Sequence, residues 1–194
     1  MRERDFLRSI LIRWRRVSIA GKFCQFGDRV YIFERVMFGG SKFIEIGDDV
    51  VIQRDNYLAA DDTTLECFAP RLVIGSGSNI GPRNHIYAQK LIEIGEKVLT
   101  GPNVFISDCS HGFMDLAVPI IDQPVKSLGL TSIGSHSWIG HGSAIIGCRV
   151  GKHSVVGANS VVLSDVPDFS VAVGAPAKVV RQFDHELGVW ACKN

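Results

Sequence analysis

Aliphatic residues recur along this chain every six positions, commonly with glycine directly after them. The runs are Ile46-Gly47, Ile52, Leu58; Ile74-Gly75, Ile80-Gly81, Ile86; Ile94-Gly95; Ile133-Gly134, Ile139-Gly140, Ile145; and Val150-Gly151, Val156-Gly157, Val162. A period of six suits neither an amphipathic helix, which repeats about every 3.6 residues, nor an alternating strand, which repeats every two. It suits a coil of three short flat faces that turns a corner every six residues and stacks on the coil below. The pattern predicts an all-β parallel β-helix with the aliphatic side chains stacked inside and glycines easing the corners. Each coil then adds one strand to each of three ladders, at about 4.8 Å per rung.

The spacing between coil starts locates the insertions. Ile74 to Ile94 is 20 residues, near the 18 of three six-residue faces, and Phe26-Gly27 precedes Ile46 by 20, placing an imperfect first coil there. Ile46 to Ile74 is 28, ten more than 18, which predicts a loop near residues 59–70. Ile94 to Ile133 is 39, twenty-one more, which predicts an excursion over 112–131. Ile133 to Val150 is 17, a one-residue slip near Gly147-Cys148. The predicted organisation is an N-terminal segment over 1–25, the β-helix over 26–167, and a C-terminal cap and tail over 168–194. A short helix is expected within 178–188. A twenty-residue excursion inside so regular a scaffold is expected to be functional or disordered. Phe113, Met114, Pro119 and Pro124 favour an ordered lid or a subunit-bridging arm.

Residues 1–17 depart from the six-residue pattern. Phe6, Leu7, Ile10, Leu11 and Trp14 recur at helical spacing among Arg2, Arg4, Arg8, Arg13, Arg15 and Arg16. That predicts a basic amphipathic helix, packed on the coil end or a neighbouring subunit, or touching an anionic membrane surface. The arginines interrupt the apolar stretch too often for a secretory signal. No apolar run reaches the roughly 18–20 residues that span a membrane. The formal net charge is +1, which gives no global reason to expect nucleic acid as a partner. Five cysteines form no Cys-x-x-Cys pair and are odd in number, which predicts buried free thiols in a reducing cytoplasm rather than a disulfide framework.

His111 is the leading candidate for chemistry. It falls where regular coil gives way to the long excursion, in Ile106-Ser-Asp108-Cys109-Ser-His111-Gly112. Imidazole can take a proton from a hydroxyl near neutral pH and return it. Asp108 and Asp115 are the carboxylates near enough in sequence to orient the ring. Asn56 and Asn84 share a phase, four residues after Ile52 and Ile80, and are read as an internal amide ladder.

The segment from Asn103 to Gly112 resembles the hexapeptide-repeat acetyltransferases, as does Ile133-Gly-Ser-His-Ser-Trp138-Ile-Gly140 after it. Val156-Gly-Ala-Asn-Ser-Val-Val162, Asp165-Val-Pro167 and Gly174-Ala-Pro-Ala-Lys178-Val-Val continue the likeness in order. The nearest branch is the sugar O-acetyltransferases: maltose and galactoside acetyltransferases and those of surface-polysaccharide synthesis. The resemblance implies a left-handed β-helix, a homotrimer, and acetyl-CoA lying between adjacent subunits. It implies His111 as the catalytic base that deprotonates an acceptor hydroxyl for direct attack on the thioester, with no metal and no acyl-enzyme. On the cofactor side it points to Trp138, Gly140, His141, Ala158, Asn159, Leu163, Ser164, Lys178 and Arg181. On the acceptor side it points to Gly81, Asn84, Gln89 and Asp108, where Gly81 and Gln89 replace an asparagine and an aspartate of the simple sugar enzymes. That departure favours a nucleotide-sugar or a sugar within a glycan or lipid-linked intermediate over free maltose or galactoside.

Three alternatives stand beside O-acetyl transfer to a saccharide. One is N-acetyl transfer to an amino-sugar nucleotide or another acceptor such as serine. Another is a zinc enzyme like the γ-carbonic anhydrases, which needs three converging histidines; His85, His111, His136 and His141 are available. The last is a non-catalytic scaffold.

Overall fold

The computed structural model describes residues 19–61 and 71–193. It is a three-faced prism of parallel strands, a left-handed β-helix. The first face stacks the strands Gln25–Phe26, Ile44–Ile46, Leu72–Ile74, Ile92–Ile94, Thr131–Ile133 and Arg149–Val150. The second stacks Tyr31–Ile32, Val51–Ile52, Asn79–Ile80, Leu99–Thr100, Trp138–Ile139 and Val155–Val156, and continues into Ser170–Gly174. The third stacks Met37–Gly39, Tyr57–Ala60, His85–Ala88, Phe105–Ser107, Ala144–Ile146 and Val161–Val162.

The six-residue pattern sets the register. Phe26 stacks under Ile46, Ile46 under Ile74, Ile74 under Ile94, Ile94 under Ile133 and Ile133 under Val150 on the first face. Leu58, Ile86, Ile106, Ile145 and Val162 do the same on the third. All of these except Phe26 are essentially inaccessible to water, so each rung adds apolar contact to the one before it. The seventeen-residue spacing to Val150 keeps the register because Cys148 is buried at the slip, its Sγ 3.3 Å from the Val162 carbonyl.

The internal amide ladder is present. Asn56 and Asn84 are both buried, and the Asn56 Oδ1 accepts the Asn84 N–H at 2.8 Å. The Asn84 Oδ1 in turn accepts the Val104 N–H at 2.8 Å, and the Asn84 amide donates to Thr100 Oγ1 at 2.6 Å. The network satisfies backbone groups that the corner between second and third faces would leave inside a dry core.

The corner glycines act differently from the expectation. Those of the Ile-Gly pairs are needed for stacking: a Cβ at Gly134 would lie 2.3 Å from the Lys152 nitrogen, and one at Gly75 2.5 Å from the Gly95 carbonyl carbon. The left-handed corner positions fall mostly to polar residues, among them Arg29, Asp49, Lys97, His136 and His153 at one corner and Arg35, Asp55, Arg83, Asn103 and Asn159 at the next, with glycine in that role at Gly77 and Gly142. Ion pairs between rungs support the early corners, Arg29 with Asp49 and Arg35 with Asp55.

The predicted C-terminal helix is absent. Residues Ala177–Asp184 form a strand that pairs antiparallel with Ser170–Gly174, and Val189–Cys192 pairs antiparallel with it in turn. The open edge of the second face offers a ladder of backbone partners, and Val179-Val180 and Phe183 suit a strand better than a helix. Asp184 closes the hairpin by accepting the N–H groups of Glu186 and Leu187. The predicted N-terminal amphipathic helix lies outside the described residues. The described part of 1–25 holds a single 3₁₀ turn at Ala20–Lys22 and the start of the first strand. Among the described residues no helix is long and apolar enough to cross a membrane.

Candidate functional site

The long excursion is an ordered arm. Cys109–His111 leaves the third face and pairs antiparallel with Val125–Ser127, placing His111 opposite Val125. The Gly112 N–H donates to the Pro124 carbonyl at 3.1 Å and the Leu128 N–H to the Asp108 carbonyl at 2.7 Å, which closes the neck of the arm. Further out, the Gln123 amide donates to the carbonyls of Asp115 and Val118, each at 2.8 Å. The outer arm is strongly apolar yet uncovered in one chain: Leu116 is 99% exposed and Ile121 86%. The His111 side chain is exposed at the neck.

Asp108 does not orient that ring. Its side chain is fully buried, with Oδ1 accepting the Gln89 N–H at 2.7 Å and Oδ2 the N–H groups of Lys90 and Leu91 at 2.6 and 2.8 Å. The carboxylate therefore fastens the corner of the preceding coil to the root of the arm. Asp115 accepts the Ala117 N–H and shapes the arm's own turn.

Of the other residues expected on the acceptor side, Gly81 and Asn84 are also interior. A Cβ at Gly81 would meet the Gly101 and Thr100 carbonyls at 2.5 Å, and Asn84 belongs to the amide ladder. Burial removes Gly81, Asn84 and Asp108 from direct contact with a substrate. Gln89 differs: its backbone is held by Asp108 and Arg71, while its Oε1 is buried with no hydrogen-bond partner among the described residues.

The cofactor-side candidates fall into two groups. On the second face Trp138, Val155, Val171 and Arg181 occupy successive positions of one outward column. Trp138 and Arg181 are thus about 14 Å apart at the usual strand spacing. Lys178 faces Val173 one column over, where Val173 packs against Gly157 above Gly140. His141, Ala158 and Asn159 stand at the corner that leads to the third face, with the Asn159 N–H donating to the His141 carbonyl at 2.8 Å. Leu163 and Ser164 form the second group. They are exposed beyond Val161–Val162, at the far end of the third face. His111 leaves the prism on that same end of the third face, so one chain does not bring it to Trp138.

The four histidines considered for zinc do not converge. His136 stacks on His153 at the corner between first and second faces, 6.3 Å between ring centroids, while His141 stands at the next corner and His85 lies between Tyr57 and Phe105 on the third face. The signal missed in the sequence is the contrast between faces. The first face presents Glu45, Val73, Glu93, Ser132 and Arg149 outward. The second and third present Tyr31, Leu99, Trp138, Met37 and Phe105, all exposed. Taking every sixth residue one position before each inward aliphatic would have found it.

Cys109 sits two residues from His111, yet burial holds its thiol above the ordinary range, outweighing the Ser107 hydrogen bond that lowers it. It is therefore a neutral thiol near pH 7, a poor nucleophile. Cys24 and Cys192 are exposed, unlike the buried thiols expected, and iodoacetamide at pH 8 should label them well before Cys109, whose labelling rises only as the pH is made more alkaline. Peptide mass mapping over a time course measures it.

No family model matches the chain. A probable acetyltransferase of Mycobacterium tuberculosis is 36% identical over 139 residues, 71% of this chain but 44% of that protein. A putative lipopolysaccharide biosynthesis O-acetyl transferase of Escherichia coli is 28% identical over 144 residues, covering 70% of this chain and 74% of the relative. A putative acetyltransferase of Saccharomyces cerevisiae is 40% identical over 113 residues, 55% and 57% of the two chains. The chain thus spans about half the length of two of these three relatives. Among solved structures, AntD, an N-acyltransferase from Bacillus cereus in complex with dTDP and 3-hydroxybutyryl-CoA, superposes with a TM-score of 0.74 at 22% identity, covering 89% of this chain and 90% of that one. A maltose O-acetyltransferase from Clostridium difficile gives 0.58 at 24% identity, over 88% and 75%. By fold the chain is a left-handed β-helix of hexapeptide repeats, and in sequence it is similar to proteins named as acetyltransferases.

Proposed function

We propose that this protein is an acetyl-CoA-dependent O-acetyltransferase that acts on a saccharide hydroxyl, in the cytoplasm, as a homotrimer. His111 is the general base. It takes the hydroxyl proton as the acceptor oxygen attacks the thioester carbonyl; the C–S bond then breaks and CoA leaves as the thiol. Backbone N–H groups beside the cleft stabilise the oxyanion. Trp138 lies along the pantetheine, and Lys178 and Arg181 meet the nucleotide phosphates, where permanent cations suit a polyanion. The neutral Cys109 thiol favours this direct transfer over an acyl-cysteine intermediate.

The observation that carries the reading is the division of the candidate residues between faces. His111 stands on the arm at the end of the third face, and the Trp138–Arg181 column runs along the second. A site that uses both takes its halves from two copies. The apolar outward columns of those two faces, beside a polar first face, supply the surfaces on which copies pack. The similarity to a lipopolysaccharide O-acetyl transferase supports a glycan acceptor, free, nucleotide-bound or lipid-linked.

The test is direct. Light scattering on the purified chain should give three times the monomer mass. Acetyl-CoA at 100 times its Kd should raise the thermal midpoint, equivalent to about 2.7 kcal/mol. A panel of nucleotide-sugars and glycans, followed by free-thiol release and product mass, should reveal an acceptor gaining an acetyl group. No thermal shift at saturating acetyl-CoA would overturn the transferase reading, and preference for an amino sugar over its hydroxyl analogue would replace O- by N-transfer.

A further inference from the structure

The second face does not end where its neighbours do. Its sheet has nine strands and the other two faces have six each, so Ser170–Gly174, Ala177–Asp184 and Val189–Cys192 carry it three strands past the last coil. Strands of a β-helix stack along the prism axis, which makes Val189–Cys192 the terminal rung, with one edge open in the axial direction. The Phe183 N–H donates to the Phe169 carbonyl and the Lys193 N–H to the Val180 carbonyl, each at 2.9 Å. Main-chain groups alternate sides along a strand, so Val180, Gln182 and Asp184 bond toward the last strand and residues 189, 191 and 193 bond back. With Gln182 opposite Ala191 and Phe183 opposite Trp190, the N–H and C=O groups of Trp190 and Cys192 point outward. All four residues of the strand are exposed, and none is charged. Edge strands are ordinarily blunted by charge or proline. This one carries neither, and Leu187, Val189 and Trp190 add exposed apolar surface beside it.

We propose that Val189–Cys192 pairs antiparallel with the same strand of a second copy and joins two assemblies end to end. Such a pair is self-complementary about a two-fold axis. With that axis at Ala191, Trp190 meets Cys192 of the second copy and Cys192 meets its Trp190. Every outward N–H and C=O is then satisfied, in four hydrogen bonds, and the second-face sheet runs on from one prism into the other. The two-fold axis lies across the prism axis. Copies arranged side by side about a three-fold axis, as proposed above, would therefore meet tail to tail through three joints, as a dihedral hexamer. A single pair of four-residue strands is weak, so the joint depends on concentration and the trimer is its dilute limit. The pairing concerns assembly and stands whether or not the chain transfers acetyl groups.

Sedimentation velocity over a series from micromolar to several hundred micromolar chain tests the joint. The mass should double across the series, from three chains to six for the trimer proposed above. Cys192→Pro removes an outward N–H and no bond to Ala177–Asp184, a change that an edge strand tolerates. It should abolish the doubling and leave the dilute mass as it was. The register has its own readout. Ala191 faces its counterpart at a non-hydrogen-bonded site, where Cα atoms stand about 4.5 Å apart, within disulfide reach. Ala191→Cys in a Cys192→Ser chain should therefore give covalent two-chain species on mild oxidation, and Cys192→Ser alone should give none. A mass constant to the highest concentration would overturn the proposal, as would doubling that survives Cys192→Pro, or Ala191→Cys chains that stay unlinked. A rise from one chain to two would support the joint and overturn the trimer instead.

Discussion

Replacing His111 with alanine is expected to lower kcat for acetyl transfer by about 10²–10⁴-fold, the usual contribution of a positioned general base. The Michaelis constant for acetyl-CoA should not change, because Trp138, Lys178 and Arg181 lie on a different face from the arm. Stability should hardly change either. The ring is exposed, and the backbone of His111 stays paired with Val125 whatever the side chain. A surface substitution of this kind shifts stability by about 0.5 kcal/mol at most, or roughly 1–2 °C in a domain of this size. The combination is diagnostic. A fall in kcat with an intact midpoint and an intact acetyl-CoA shift identifies a group that acts on the reacting atoms. Near-native turnover would remove His111 from the mechanism, and the search for the base would move to the other side chains at the neck.

The architecture was legible because the pattern repeats. One residue in six must be aliphatic when it stacks on its counterpart a coil away, and Ile46, Ile74, Ile94 and Ile133 report that contact directly. The amide ladder was legible for the same reason, since Asn56 and Asn84 interrupt the repeat in one phase. What was not legible depends on neighbours that sequence spacing does not reveal. The strand at Ala177–Asp184 read as a helix because its partner, the open edge of the second face, exists only once the prism is built. The Ile-Gly glycines read as corner residues, whereas the approach of the next rung is what excludes a side chain there. Asp108 read as part of the site because it lies three residues from His111, and nothing in its spacing reveals three backbone N–H groups converging on it.

That clamp carries the second large effect. Asp108→Ala is expected to destabilise the protein by about 3–5 kcal/mol. Hydrogen bonds to a charged group are each worth about 1.5–3 kcal/mol, and removing one partner leaves the others buried and unmet. Here the N–H groups of Gln89, Lys90 and Leu91 would all lose their acceptor at once. The losses add incompletely, because the freed corner relaxes and admits water. At roughly 2–4 °C per kcal/mol for a chain of this length, the midpoint should fall by about 6–20 °C. Asp108→Asn retains one acceptor oxygen but turns an amide N–H₂ towards backbone donors, so it should fall between wild type and alanine. Activity should fall in both variants through kcat, since the carboxylate fastens the corner at Gln89, Lys90 and Leu91 to the root of the arm that carries His111. A carboxylate that touched the substrate would behave otherwise. Its removal would raise the acceptor's Michaelis constant and leave the midpoint in place, and calorimetry beside steady-state kinetics on the two variants separates these outcomes.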